Sequence, residues 1–358
     1  MNRTMLFQRA ITFALIVTAV ASCKKDTDPL MIIPPSGGSS MQLDGGSGEA
    51  AAVNSVFVDF SADKQKAVAR DSWDLGFYSG GAFKVILNAS NGVSAVAVNK
   101  TDLNAVTEAD VNLDTLKLGQ GNGSFAVIDD PREASILTKT AIAEVSATDA
   151  DNKVYVINRK GGTTGAILPA AELFKIRILR KGTGYTLQYA NLNATTFKTL
   201  DISKAADFNF QFASLLSGTV VTVEPEKANW DIVWGWSVYQ FGTIPYSFSD
   251  LVFINNLAGV TAFERTYASA DIAADAYTKF NRDSVAKYSF QNKRDVIGSN
   301  WRVTSSLGGS SEPVGVRKSR FYVVKDADGH LYKMKFLSFA PQDGGTRGKP
   351  QIEYAFIN

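Results

Sequence analysis

Cysteine and histidine are nearly absent from this 358-residue chain, which has one of each, Cys23 and His330. One thiol makes neither a disulfide framework nor a thiolate metal site. One histidine, in the turn-like Asp328-Gly329-His330, leaves no Ser/His/Asp or Cys/His set for nucleophilic catalysis. No H-E-x-x-H or P-loop pattern occurs, and Gly119-Gln120-Gly121-Asn122-Gly123 lacks the Lys-Ser/Thr pair of a phosphate cradle. Asp129-Asp130 adjoins Pro131 and reads as a turn. Asp326, Asp328 and Gly329 lack the spaced oxygens and distal glutamate of an EF-hand. Charge of one sign is not in excess either. With 37 basic residues against 35 acidic ones, no surface for nucleic acid is expected. These absences point away from an enzyme and toward a binding or scaffolding protein with no metal centre.

Long apolar runs are missing after the first 22 residues. Before that, Arg3 and Arg9 lead into Ala10–Ala21, which is shorter than the roughly 20 residues needed to span a bilayer. A basic start, a short apolar stretch and small residues at its end describe a secretory signal. Val20-Ala21-Ser22-Cys23 matches a bacterial lipobox, in which the thiol takes the lipid as a thioether. Residues 1–22 are therefore expected to be removed and Cys23 to carry lipid. Two or more acyl chains, at about 0.8 kcal/mol per buried CH₂, give stable membrane anchoring. Residues 23–50 read as a tether, charged at Lys24-Lys25-Asp26, stiffened by Pro34-Pro35 and loosened by Gly and Ser. The expected place is the outer membrane, at the cell surface or on the periplasmic face.

From residue 51 onward the pattern is that of an all-β protein, mainly antiparallel, with minor helix. Phe174-Lys175-Ile176-Arg177-Ile178 alternates with period two, and Val154–Ile157 and Tyr332–Phe336 are similar. Residues 102–118 and 268–287 are open to short helices or long loops.

The chain also repeats. Trp73-Asp74-Leu75 recurs as Trp230-Asp231-Ile232, and Leu87–Val96 aligns with Ile254–Phe263, sharing Asn, Gly, Val and Ala. Val154–Ile157 aligns with Phe321–Val324, and Phe174–Ile178 with Tyr332–Phe336. Conserved order with small changes of offset implies duplication, and the length suits two domains, 51–200 and 201–358. In each motif the indole is expected to be buried and the aspartate to face out or bond a turn. The Asn…Gly pair suits a turn with glycine at positive φ.

Asn229-Trp230-Asp231-Ile232, Ile297–Arg302 and the run Arg320–Phe336 resemble the HmuY family of Bacteroidetes lipoproteins, named for a haemophore. The resemblance is clearest over 205–358 and thinner over 51–200. It implies an all-β fold, an outer-membrane setting and haem or a related porphyrin as the candidate ligand, with an outer-membrane receptor as a candidate partner. The family's haem binders hold iron between two His or Met side chains. Here His330 and Met334 lie four residues apart on a predicted strand, roughly 13 Å. Two ligands on opposite faces of one iron lie about 4 Å apart, so this pair does not clamp one haem. Ligation from one side by His330 or a tyrosine stays open. Trp230, Trp234, Trp236 and Tyr239 form the candidate stacking surface, the three indoles sharing one strand face by even spacing. The alternative is a β core or domain interface there, and a surface lipoprotein that kept the fold and lost the ligand.

Overall fold

The computed structural model describes residues 34–119, 122–161, 165–304 and 312–358. Cys23, the signal segment and most of the tether lie outside them. The expected all-β class is what the structure shows, since its main sheets are antiparallel throughout and helix is minor. Strands β1 (Gly38–Gln42), β2 (Asn54–Asp59) and β3 (Lys64–Ala69) come first. They are followed by β4 (Leu75–Tyr78), β5 (Val85–Leu87), β6 (Ser94–Val98), β7 (Val154–Asn158), β8 (Phe174–Lys181) and β9 (Gly184–Asn191). The same series then recurs. β10 (Lys198–Ile202), β11 (Phe210–Ser214) and β12 (Thr219–Val221) precede β13 (Ile232–Phe241), β14 (Ile244–Ile254) and β15 (Thr261–Thr266). After a small sheet of β16 (Arg302–Val303) and β17 (Gly315–Val316) come β18 (Arg320–Lys325), β19 (Leu331–Ser338) and β20 (Gln351–Phe356).

Two five-stranded sheets have matching orders, β10-β9-β8-β7-β6 and β1-β20-β19-β18-β15. Two four-stranded sheets match in the same way, β12-β11-β4-β5 and β3-β2-β13-β14. In both copies the opening three strands have changed places. β2 pairs with β13 through Val56–Val58 and Ile232–Trp234, and β11 pairs with β4 through Phe210–Ala213 and Leu75–Tyr78. The boundary expected at 200/201 is thus crossed in both directions, and residues 35–358 form one compact unit. One lobe is contiguous, from β4 to β12. The other joins β1–β3 to β13–β20.

Each lobe is a sandwich of one four- and one five-stranded sheet. Leu75, Phe77, Ile157, Ile176 and Leu187 fill one core, and Val56, Val58, Ile232, Trp234, Tyr322 and Met334 fill the other. Burying each such side chain contributes about 1.5–3 kcal/mol. The four-stranded sheets are apolar on their outer faces as well. Phe57, Phe210, Phe212, Trp73, Val223 and Trp230 form a third cluster between them. The result is four stacked layers, with the two four-stranded sheets at the centre.

The outermost faces are covered by the two long connections. Residues 268–287 hold helices α1 (Ala270–Lys279) and α2 (Arg282–Val285), and Tyr277 and Val285 pack with Phe263, Phe321 and Val323. Ser269 starts α1 by accepting the Ile272 N–H. Residues 102–118 are a long loop with two short 3₁₀ turns, and its Leu103, Val106 and Leu116 cover the other end.

A protease site placed at the exposed Ala206-Asp207 tests the exchange of strands. The cut chain is expected to elute at the size of the intact one and to separate only in denaturant. Two fragments parting in native buffer would show independent domains instead.

Candidate functional site

The Trp-Asp motif lies just before the central strand of each four-stranded sheet. Asp74 Oδ2 accepts from Leu215 N at 2.7 Å, and Asp231 Oδ2 accepts from Phe60 N at 2.8 Å. Each of these amides follows the strand brought in from the other copy, so the carboxylate ties down the exchanged hairpin. The next conserved residue does the same for the motif itself. Asn88 Nδ2 donates to Trp73 O, and Asn255 Nδ2 to Trp230 O, at 2.8 and 3.0 Å. The following Gly92 and Gly259 have φ of 69° and 92°, as the Asn…Gly turn requires. The asparagines have negative φ and serve through their side chains instead. Asp74 and Asp231 are buried and take the second of the two expected roles, bonding a turn, and both indoles are buried as expected.

The copies differ in how they treat this aspartate. Arg159 Nε meets Asp74 Oδ1 at 2.6 Å, and both are buried. Burial raises the Asp74 pKa and Arg159 opposes the rise. By strand equivalence the position of Arg159 becomes Asp326 in the second copy. Among the described residues Asp231 has no such cation, and burial, with Asp59, Asp326 and Asp328 nearby, raises its pKa well above the usual range.

Between the central sheets lies a cavity of about 160 Å³, lined in equivalent pairs by Phe57 and Phe212, Trp73 and Trp230, and Val68 and Val223. Phe57 meets the Trp230 ring edge-on at 5.1 Å, as Phe212 meets Trp73 at 4.7 Å. Its wall also carries polar side chains, among them Arg70, Asn209, Asn255, Glu224 and Arg294. Glu224 is buried there and accepts from Phe210 N at 2.7 Å, and burial lifts its pKa to about 8. Arg294 lies over the Phe253 ring at 4.0 Å. Asp129, adjoining this region, accepts from Leu87 N and Ala141 N, and burial lifts its pKa to about 7. It is a buried bracket as well as part of a turn. No local sequence pattern marks Glu224, Arg294 or Asp129, because each matters through a distant neighbour.

The residues singled out from sequence are dispersed. His330 lies in its turn, partly exposed, with Nδ1 2.8 Å from Asp326 Oδ2. The Asp326 carboxylate also accepts the Asp328 and His330 amides, so it organises the turn. Met334 is fully buried in a lobe core and does not face the His330 turn as a ligand. Trp230 lines the central cavity, Trp234 sits in the lobe core, and Trp236 packs against Leu118, Phe125 and Ile128. Trp230 precedes β13. At Trp236, between Gly235 and Ser237, the ladder with β14 shifts register, and such irregularities increase twist and re-aim side chains. The three indoles therefore form no common stripe. Tyr239 donates to Asp295 and packs on Phe248 and Phe253.

Among the described residues no group of three His, Cys, Asp or Glu side chains is placed to hold a metal ion, and no helix is long and apolar enough to cross a membrane. The fold and its sites define an all-β, antiparallel protein of two interlocked sandwiches around a small apolar cavity. The family model described as "HmuY protein" matches residues 51–354, and the chain belongs to the HmuY family. No curated protein and no solved structure matches.

Four buried acids, Asp74, Asp129, Glu224 and Asp231, have folded pKa values above their ordinary ones. The folded state then holds more protons than the unfolded one, so stability falls as pH rises from about 4 to about 8. Asp130, held low by Arg132 and Lys139, acts only below that window. Urea unfolding at pH 5 and pH 8 is expected to give the lower midpoint at pH 8, with a smaller difference in Glu224→Gln. Equal midpoints in the native protein would contradict this account.

Proposed function

We propose that this protein is a lipid-anchored, extracytoplasmic binding protein without enzymatic activity, held at the outer membrane through Cys23. Its candidate ligand is haem or a related porphyrin, contacted from one side only. Membership of the HmuY family over residues 51–354 supports the ligand class. The observation that carries the mode of contact is the His330–Asp326 pair. A metal-bound imidazole usually has its second nitrogen held by a carboxylate, which sets the tautomer and the ring direction. Asp326 Oδ2, 2.8 Å from Nδ1, supplies that hold and leaves Nε2 as the donor to iron. Phe356, 6.1 Å from the imidazole between ring centroids, offers an apolar neighbour. Iron held this way would supply ligation chemistry, and this chain would bind and orient the macrocycle.

A second reading is favoured by charge. The carboxylates of Asp59, Asp326 and Asp328 gather around Asp231 on this side of the lobe, and they oppose a ligand that carries carboxylates. On that reading the fold is kept as a surface scaffold, with an outer-membrane receptor or other protein as partner.

Titration of residues 24–358 with haem separates the two. The expected result is a Soret shift in the native protein that is lost in His330→Ala and weakened several-fold in Asp326→Asn. No shift in either the oxidised or the reduced state leaves the scaffold reading.

A further inference from the structure

The family match over residues 51–354 spans both copies of the repeat, and the central cavity lies where the two copies face each other. Both copies line it with the same positions, so its shape is a product of the duplication and the strand exchange. We propose that this cavity is a binding site for a small planar aromatic molecule carrying a carboxylate.

Size selects the ligand. An apolar cavity of about 150 Å³ takes up one benzene-like ring, and drug-sized ligands occupy roughly 300 Å³ or more. At about 160 Å³ the cavity accommodates one ring with a small substituent and excludes a porphyrin, which is built of four pyrroles. Shape selects it too. Trp73, Trp230, Phe57 and Phe212 present rings from opposite sheets, and aromatic rings favour offset-stacked or edge-on partners.

Two polar groups select the substituent. The Trp230 indole N–H is buried with no hydrogen-bond partner among the described residues, and Trp230 is only 7% exposed. A buried donor left unpaired costs about 1–3 kcal/mol, and a ligand oxygen in the cavity beside it would recover that. Arg294, also on the wall, rests its guanidinium on Phe253, and among the described residues its side chain donates no hydrogen bond. A guanidinium matches a carboxylate in charge and geometry. Asp295 and Asp129 both stabilise the Arg294 charge from nearby, but neither accepts a hydrogen bond from it among the described residues, and Asp295 Oδ2 is bonded to Lys293 and Tyr239. Burial raises the Glu224 pKa to about 8, which lessens its repulsion of an anion.

The test is calorimetric titration of the full mature chain with benzoate, and with toluene as the control lacking the carboxylate. Benzoate is expected to bind at one saturable site and toluene at least tenfold more weakly. Arg294→Gln should remove the preference for benzoate, and Trp230→Phe should weaken benzoate several-fold. Val233→Phe, which adds a ring to the cavity wall, should abolish both. Val68→Phe, on another strand of the same wall, serves if that variant does not fold. No saturable benzoate binding, or binding unchanged in the filled variants, overturns the proposal. His330→Ala should bind benzoate as the native protein does. The haem response, if present, should survive Val233→Phe, so failure at either site is read separately.

Discussion

A buried carboxylate at the start of each central strand holds this molecule together. Asp74 and Asp231 each accept the amide that follows a strand donated by the other copy of the repeat. A buried amide left without its acceptor costs about 1–3 kcal/mol. The two bonds thus specify which hairpin completes which sheet. Without that specification each copy could complete its own sheet, and the faces now buried at the centre would be exposed. The layered arrangement, the cavity and the joining of residues 35–358 into one unit all follow from these capped crossings.

The duplication has not kept the copies equal. Arg159 neutralises Asp74, while the equivalent position beside Asp231 is the acid Asp326. A buried ion pair recovers its desolvation only when its geometry is good, and the contact of Arg159 with Asp74 meets that condition. In the second copy the acid is left to a raised pKa instead, and Asp326 has been turned to another task, the organisation of the His330 turn. That lobe carries an acidic edge with the chain's single imidazole on it.

Much of the fold was legible in order of residues alone. Period-two alternation identified Phe174–Ile178 and Tyr332–Phe336 as strands, and they occupy equivalent places in the two five-stranded sheets. The Trp-Asp and Asn…Gly columns marked the repeat because each position has the same task in both copies, Asp74 and Asp231 accepting the amide after an exchanged strand and Gly92 and Gly259 taking positive φ. The candidate sites were less legible. Even spacing placed Trp234 and Trp236 on one face, but a register shift in the ladder falls at Trp236 and they pack in different clusters. Glu224 and Arg294 stand in no motif at all.

The sequence by itself determined the all-β class, the duplication and the scarcity of His and Cys ligands, because periodicity, motif columns and composition are local or summed quantities. Only the tertiary structure decided which hairpin completes which sheet, and therefore which apolar faces meet. Strand pairing is set by contacts between residues some 150 positions apart, such as Asp74 with Leu215 and Asp231 with Phe60. A repeat makes self-pairing and exchange look alike in sequence, since both copies offer the same partners. The choice between them emerges only when both chains of contacts close at once.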